Sequence, residues 1–154
     1  MSARILVADD HEVVRQGIRA ILQARPDWEI CGDAVDGREA IRLAKQLQPD
    51  VIIMDITMPH MSGLEASQEI ARLQLPSRVL IFTMHESKSL APSVRKAGAH
   101  GYVVKSRAAR DLIEAIDRLL GGGTFFDNPS PSGAKKEDKP ENDIAFRQAL
   151  SWAW

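Results

Sequence analysis

Short apolar runs alternate with segments of helical periodicity along the first 120 residues of the chain. The apolar runs that predict strands lie at 5–8, within 28–34, and at 51–54, 79–82 and 102–104. Apolar residues recur every three or four positions, as on one face of a helix, in the segments 14–22, 40–47, 66–73, 90–97 and 112–119. The pattern therefore predicts five strands, each followed by a helix.

Nearly continuous apolar strands separated by helices are typical of a parallel sheet covered on both faces. Combined with right-handed crossovers, the pattern predicts an α/β fold with a doubly wound sheet of five parallel strands and helices on both faces. A closed eight-stranded barrel would need about 250 residues, whereas this chain has 154.

Proline and glycine positions predict where two of the helices begin or end. The second helix must end before Pro49, because the residue preceding a proline disfavours helical backbone angles. Pro92 lies inside the fourth predicted helix and is harmless only in its first turn. That helix should therefore start no earlier than about Lys88, with Ser89 as its N-cap and Gly98 after its last turn.

The composition changes after residue 121. Residues 128–143 are rich in Pro, Ser, Lys, Glu and Asp, and the last eleven residues regain apolar character. We predict a folded domain at 1–121 and a flexible linker at 122–143. The tail at 144–154 is either a short amphipathic helix or a frayed end.

Charge and hydropathy narrow the class of protein. A net charge of -1 supplies no basic field that would attract nucleic acid. No apolar run approaches the about 18 residues that span a bilayer, and the first ten residues lack the apolar region of a signal peptide. Cys31, the single cysteine, leaves no internal disulfide to form. We expect a cytoplasmic protein that does not enter a membrane.

Chemically complementary residues stand where the predicted strands end. They are Asp9 and Asp10 after the first strand, Asp55 after the third, Thr83 at the end of the fourth and Lys105 after the fifth. Ligands of doubly wound sheets bind beyond the carboxyl ends of the strands, so these side chains are expected to meet.

The chemistry of this set favours phosphoryl transfer. Three clustered carboxylates repel one another and need a cation, and oxygen ligands suit Mg²⁺. Asp55 is the natural nucleophile, since a carboxylate can form an aspartyl-phosphate. Lys105 supplies a positive charge and Thr83 a hydroxyl donor for the phosphoryl oxygens.

At these positions the chain resembles the receiver family of bacterial two-component response regulators. The resemblance covers about residues 3 to 120 and rests on Asp9-Asp10, the stretch Asp55-Ile56-Thr57-Met58-Pro59 with Gly63 after it, Thr83, and Tyr102 three residues before Lys105. The stretches ADDH at 8–11, TMH at 83–85 and GGGTFF at 121–126 are most similar to the NarL/FixJ subfamily.

The resemblance implies a flavodoxin-like sheet with the strand order 2-1-3-4-5, and it implies a role for each site residue. Asp10, Asp55 and the backbone carbonyl of Thr57 would ligate Mg²⁺, and Asp9 would act mainly through water. A sensor histidine kinase would deliver the phosphoryl group to Asp55, and Lys105 would bridge to it.

Thr83 and Tyr102 would form the switch that the resemblance implies, with the hydroxyl turning toward the phosphoryl group and the ring following inward. The family is a signalling module that assists its own phosphorylation and dephosphorylation, and is not classed as an enzyme. The subfamily also implies a homodimer and a role in transcription regulation.

Two features depart from the family pattern. Many receivers carry a proline after the lysine, often with a cis peptide bond. Here Ser106 follows Lys105, and a trans bond is expected because a non-proline cis bond costs about 3 kcal/mol.

The subfamily normally continues into a DNA-reading helix-turn-helix, but the segment after Phe126 is too short for one and is not basic. No direct DNA binding is expected from this chain, and its sequence fits a single-domain regulator, a truncated product or a fragment equally well.

Several alternatives compete with the receiver interpretation. A Mg²⁺-dependent phosphatase or phosphotransferase usually carries a second acid two residues after its nucleophile, where this chain has Thr57. A flavodoxin-like nucleotide binder needs a phosphate-binding loop after the first strand, where Asp9 and Asp10 would repel phosphate. A pseudo-receiver, a pure interaction domain, would not need the intact acidic set.

Two histidines near these positions have open roles. His11 is either a metal ligand or acid, or the residue that opens the first helix on the surface; its position favours the second. His85 lies next to the site and could influence hydrolysis of the phosphoryl group.

Overall fold

Eleven elements alternate along the chain in the computed structural model, which describes residues 2–126. They are β1 (Ala3–Ala8), α1 (Glu12–Leu22), β2 (Trp28–Ala34), α2 (Gly37–Leu47), β3 (Val51–Asp55), α3 (Gly63–Arg72), β4 (Arg78–Thr83), α4 (Leu90–Lys96), β5 (Gly101–Val104), a 3₁₀ turn (Lys105–Arg107) and α5 (Ala108–Leu120).

The five strands form one parallel sheet in the order β2-β1-β3-β4-β5, which confirms the predicted fold. The strand ends are nearly level, since Ala8 pairs with Met54, Asp55 with Phe82 and Thr83 with Val104. As a result, the residues that follow β1, β3, β4 and β5 all reach the same edge of the sheet.

The apolar strand residues serve two cores, one on each face of the sheet. On β3, Ile52 packs in the core that includes α2, α3 and α4, while Ile53 packs in the core that includes α1 and α5. Both side chains are fully buried, because neighbouring strand residues point to opposite faces. This explains why the strands read as continuous apolar runs.

The start of α4 agrees with the expectation from Pro92. The helix begins at Leu90 with Ser89 as its N-cap residue, although the Ser89 side chain makes no capping hydrogen bond. Pro92 is therefore the third residue of the helix, where its missing N–H costs no hydrogen bond. Gly98 follows the last turn with a φ of 85°, as a C-terminal glycine usually does.

The folded part of the chain continues past the boundary predicted at residue 121. The Phe125 N–H donates to the His100 carbonyl at 3.0 Å, and the Phe125 carbonyl accepts from Tyr102 at 3.0 Å. Phe125 and Phe126 are both buried. Burial of their rings stabilises the ordered chain here, although flexible glycines precede them. The rest of the predicted linker and the tail at 144–154 lie outside the described residues.

Two further expectations concern the backbone and the helices of residues 2–126. No peptide bond in this range is cis, including the bond between Lys105 and Ser106. None of the helices in this range is long and apolar enough to cross a membrane.

Candidate functional site

Four strands deliver polar side chains to one edge of the sheet. Asp9 follows β1, Asp55 ends β3, Thr83 ends β4 and Lys105 follows β5. Asp9 is 1% exposed and Asp55 4% exposed. Two carboxylates are thus buried side by side, a costly arrangement that a structural role alone does not call for.

Lys105 bridges these two carboxylates. Its Nζ lies 3.1 Å from Asp9 Oδ2 and 3.1 Å from Asp55 Oδ1. The ammonium also lies 5.6 Å from the centre of the Phe82 ring, within the range of a cation–π contact. The lysine side chain, 13% exposed, is therefore held at the inner wall of the site.

The electrostatics of the site leave an excess of negative charge. Burial raises the pKa of Asp55, and repulsion from Asp9 raises it further, against the opposing effects of Lys105 and the Thr57 N–H. Desolvation lowers the pKa of Lys105, but Asp55 and Asp9 together outweigh it and raise the pKa overall. One ammonium does not neutralise the cluster, and the site favours an additional cation.

The residues present fit a divalent cation. Asp9, Asp10, His11 and Asp55 each offer one ligand atom, and these atoms lie within 4.8 Å of one another. Asp10 Oδ1 is buried and accepts no hydrogen bond, although His11 Nδ1 lies 3.2 Å away. Carboxylate oxygens are ligands that Mg²⁺ uses in proteins, commonly one or two of them together with water.

The loop after β3 holds Asp55 in place and depends on a glycine. The Gly63 N–H donates to the Ile56 carbonyl at 2.9 Å. A Cβ at Gly63 would lie 2.1 Å from the Asp55 carbonyl oxygen, so only glycine allows this approach. In the same loop Thr57 is exposed, and its backbone N–H acts to lower the pKa of Asp55.

Thr83 and Tyr102 flank the acidic cluster without joining it. Thr83 is buried, and its hydroxyl donates to the His85 carbonyl at 3.4 Å. The Tyr102 ring is largely buried, and its hydroxyl donates to Glu86 Oε2 at 3.4 Å. The structure therefore brings Asp9, Asp10, Asp55 and Lys105 together, and directs these two hydroxyl groups toward the loop after β4.

Three charged residues near the site were missed by the sequence analysis. Arg107 and Glu86 form an ion pair of 2.6 Å, and an Arg15 guanidinium nitrogen donates to the Asp9 carbonyl at 2.6 Å. Each is an isolated charge outside a motif, so no local signal distinguishes it from a solvated surface residue. His11, in contrast, takes the predicted position at the start of α1.

A family model described as "Response regulator receiver domain" matches residues 5–117. The chain is 42% identical over 113 residues to the transcriptional regulatory protein LiaR of Bacillus subtilis, covering 73% of this chain and 54% of that protein. It is 37% identical over 123 residues to DegU of Brevibacillus brevis, covering 80% of this chain and 52% of that protein. The chain thus spans about half the length of these curated relatives.

Solved structures of response regulators also superpose on this chain. A LuxR-family two-component response regulator from Aurantimonas superposes with a TM-score of 0.80 at 37% identity, covering 92% of this chain and 100% of that one. The receiver domain of a NarL regulator from Mycobacterium tuberculosis superposes with a TM-score of 0.75 at 29% identity, covering 79% of this chain and 98% of that one.

Proposed function

Because this chain belongs to the response regulator receiver family, we propose that Asp55 accepts a phosphoryl group in a Mg²⁺-dependent reaction. The observation that carries the proposal is the pairing of Lys105 Nζ with both Asp55 and Asp9 at 3.1 Å. The ammonium thereby lies next to the carboxylate that would be phosphorylated, where it can balance the charge of the incoming group.

The donor is a phosphohistidine of a sensor histidine kinase. An Asp55 carboxylate oxygen attacks the phosphorus, the P–N bond of the phosphohistidine breaks, and the imidazole nitrogen keeps the electron pair and takes up a proton. Asp55 reacts as the anion, although burial and Asp9 raise its pKa. Lys105 then turns from the carboxylates toward the phosphoryl oxygens.

Asp10, Asp55 and the carbonyl of Thr57 would hold Mg²⁺, with Asp9 acting mainly through water. When bound, the ion would neutralise carboxylate charge and the charge that develops on the phosphoryl oxygens. The buried, unbonded Asp10 Oδ1 supports this assignment.

Phosphorylation would be transmitted through Thr83 and Tyr102. The Thr83 hydroxyl exchanges its bond to the His85 carbonyl for one to a phosphoryl oxygen, and the Tyr102 ring moves inward. These changes bias a two-state surface near α4 and β5 that binds a partner or a second copy of the chain. We place this signalling module in the cytoplasm and assign it to the control of transcription.

The test is incubation of the full chain with acetyl phosphate, with and without Mg²⁺, followed by intact mass and oligomeric state. One Mg²⁺-dependent phosphoryl adduct is expected. Asp55→Asn should lose the adduct, and the exposed control Asp27→Asn should keep it. Undiminished labelling of Asp55→Asn would contradict the proposal, and sustained turnover of a small phosphate ester would point to the phosphatase alternative.

A further inference from the structure

The loop between β4 and α4 accepts hydrogen bonds from the hydroxyl groups of both proposed switch residues. Thr83 donates to the His85 carbonyl at 3.4 Å. Tyr102 donates to Glu86 Oε2, also at 3.4 Å. Because the two acceptors are neighbours in the chain, one displacement of this loop would lengthen both hydrogen bonds. The position of the loop therefore links the Thr83 hydroxyl to the Tyr102 ring.

An ion pair holds the loop in this position. The second Glu86 oxygen, Oε1, lies 2.6 Å from a guanidinium nitrogen of Arg107. Arg107 belongs to the 3₁₀ turn after β5, two residues beyond Lys105, and its side chain is 9% exposed. Residues 84–89 of the loop are all exposed, so burial of their side chains contributes little to fixing the loop. Glu86 thus restrains the loop through its charge.

The proposed activation has to overcome this restraint. Thr83 must leave the His85 carbonyl to reach the phosphoryl group, and the Tyr102 ring must move inward. Both changes alter the contacts between the loop and β5. Separating Glu86 from Arg107 would leave a largely buried guanidinium without its counter-ion, which is unfavourable. The ion pair therefore stabilises the resting arrangement relative to the signalling one.

We propose that Glu86, paired with Arg107, is a positioning residue that holds the switch in its resting arrangement. It thereby sets the fraction of unphosphorylated chain that adopts the signalling arrangement. The inference rests on the proposed function for the identity of the two arrangements. Loss of the Glu86 charge shifts the population toward the signalling arrangement without a phosphoryl group. The Glu86 side chain is 33% exposed and partly screened, so we expect a shift of about fivefold, at the lower end of allosteric couplings.

The decisive experiment is fluorine NMR of the full chain. Tyr102 is the single tyrosine of the chain, so incorporation of meta-fluorotyrosine gives one resonance that reports on the switch. Beryllium fluoride with Mg²⁺, a mimic of the phosphoryl group, marks the position of this resonance in the signalling arrangement. Glu86→Gln without the mimic should move the resonance part of the way toward that position. Arg107→Gln leaves the acceptor of the Tyr102 hydroxyl in place and should move the resonance in the same direction.

The rate of labelling by acetyl phosphate gives a second readout. Glu86→Gln should be labelled about fivefold faster than the wild type, because a larger fraction of the free chain is ready to react. A purely structural loss would leave this rate unchanged or lower it, and either result would overturn the proposal. The double variant should not exceed the larger single effect, since both substitutions remove one interaction. Glu114→Gln, which breaks an exposed pair on α5, is the matched control and should keep the wild-type resonance and rate.

Failure of this inference is distinguishable from failure of the proposed function. If acetyl phosphate labels Asp55 but Glu86→Gln and Arg107→Gln keep the wild-type resonance and rate, the role of Glu86 is wrong and the phosphoacceptor stands. If neither acetyl phosphate nor beryllium fluoride acts on the wild type while both variants still move the resonance, Glu86 restrains Tyr102 and the phosphoacceptor is wrong.

Discussion

Arg107 and Glu86 form an ion pair of 2.6 Å that joins the turn after β5 to the loop after β4. The other Glu86 oxygen accepts the hydroxyl of Tyr102 at 3.4 Å. Arg107 is only 9% exposed, so the pair is screened less than one on the open surface. The two segments that carry Thr83 and Lys105 are therefore tied together outside the acidic cluster.

Glu86→Gln should lower the free energy of unfolding by about 1–2 kcal/mol, because it leaves the largely buried Arg107 without its counter-ion. Urea denaturation of the unphosphorylated chain measures the change. The matched control is Glu114→Gln, which breaks an exposed pair with Arg118 and should change stability by less than about 0.5 kcal/mol. Equal small effects for both variants would show that the Glu86 pair does not stabilise the fold.

Asp55→Asn should raise the stability of the metal-free domain at neutral pH. The folded state raises the pKa of Asp55, chiefly through burial, so it binds the proton more tightly than the unfolded chain. The stability that this group contributes is present at low pH and is lost as the pH rises from 3.8 through the raised pKa. Removing the charge should therefore add on the order of 1 kcal/mol at pH 7.

Denaturation in EDTA and in Mg²⁺ checks this expectation. Mg²⁺ should stabilise the wild type in proportion to the logarithm of its concentration, and Asp55→Asn should respond much less. The gain of the variant in EDTA should shrink as the pH falls through the raised pKa of the wild-type carboxyl toward 3.8, because the folded wild type then takes up the proton. A variant that is less stable than the wild type in EDTA at pH 7 would contradict the electrostatic argument.

His100 should make the domain less stable in mild acid. Its Nδ1 accepts the Val79 N–H at 2.9 Å, and a protonated ring cannot accept this bond. Burial, followed by repulsion from Arg78, lowers the pKa of His100 from its ordinary 6.5. Below pH 6.5 the unfolded chain therefore binds more protons than the folded one, and stability falls until the pH passes the lowered pKa.

His100→Asn keeps an acceptor near the position of Nδ1 and does not titrate. The difference in unfolding free energy between wild type and variant should be constant above about pH 7 and should move in favour of the variant on acidification. The exposed His85→Asn should retain the pH dependence of the wild type. Parallel curves for His100→Asn and wild type would rule out the effect.

Gly63→Ala should lower stability by about 1–3 kcal/mol and should also slow phosphorylation. The added Cβ would lie 2.1 Å from the Asp55 carbonyl, so the backbone that carries the phosphoacceptor must shift. Gly17→Ala is the control, since a Cβ there meets nothing within 4 Å and alanine favours the helix by about 0.5–1 kcal/mol. Urea denaturation and the rate of labelling by acetyl phosphate measure both effects.

Much of the fold could be predicted from local patterns in the sequence. Apolar runs separated by helical stripes predicted the doubly wound sheet, the resemblance to the receiver family implied its strand order, and the structure confirms both. Pro92 alone predicted where α4 starts. These features could be predicted because periodicity and proline geometry act within a few residues. The roles of Asp55, Thr83 and Tyr102 in phosphoryl transfer and switching stay predictions.

Tertiary structure decided the features that depend on distant residues. The return of Phe125 to β5 extends the fold past the glycines, and the pair of Glu86 with Arg107 joins two loops. Such contacts arise from packing between segments far apart in the chain, and no local pattern in the sequence records them.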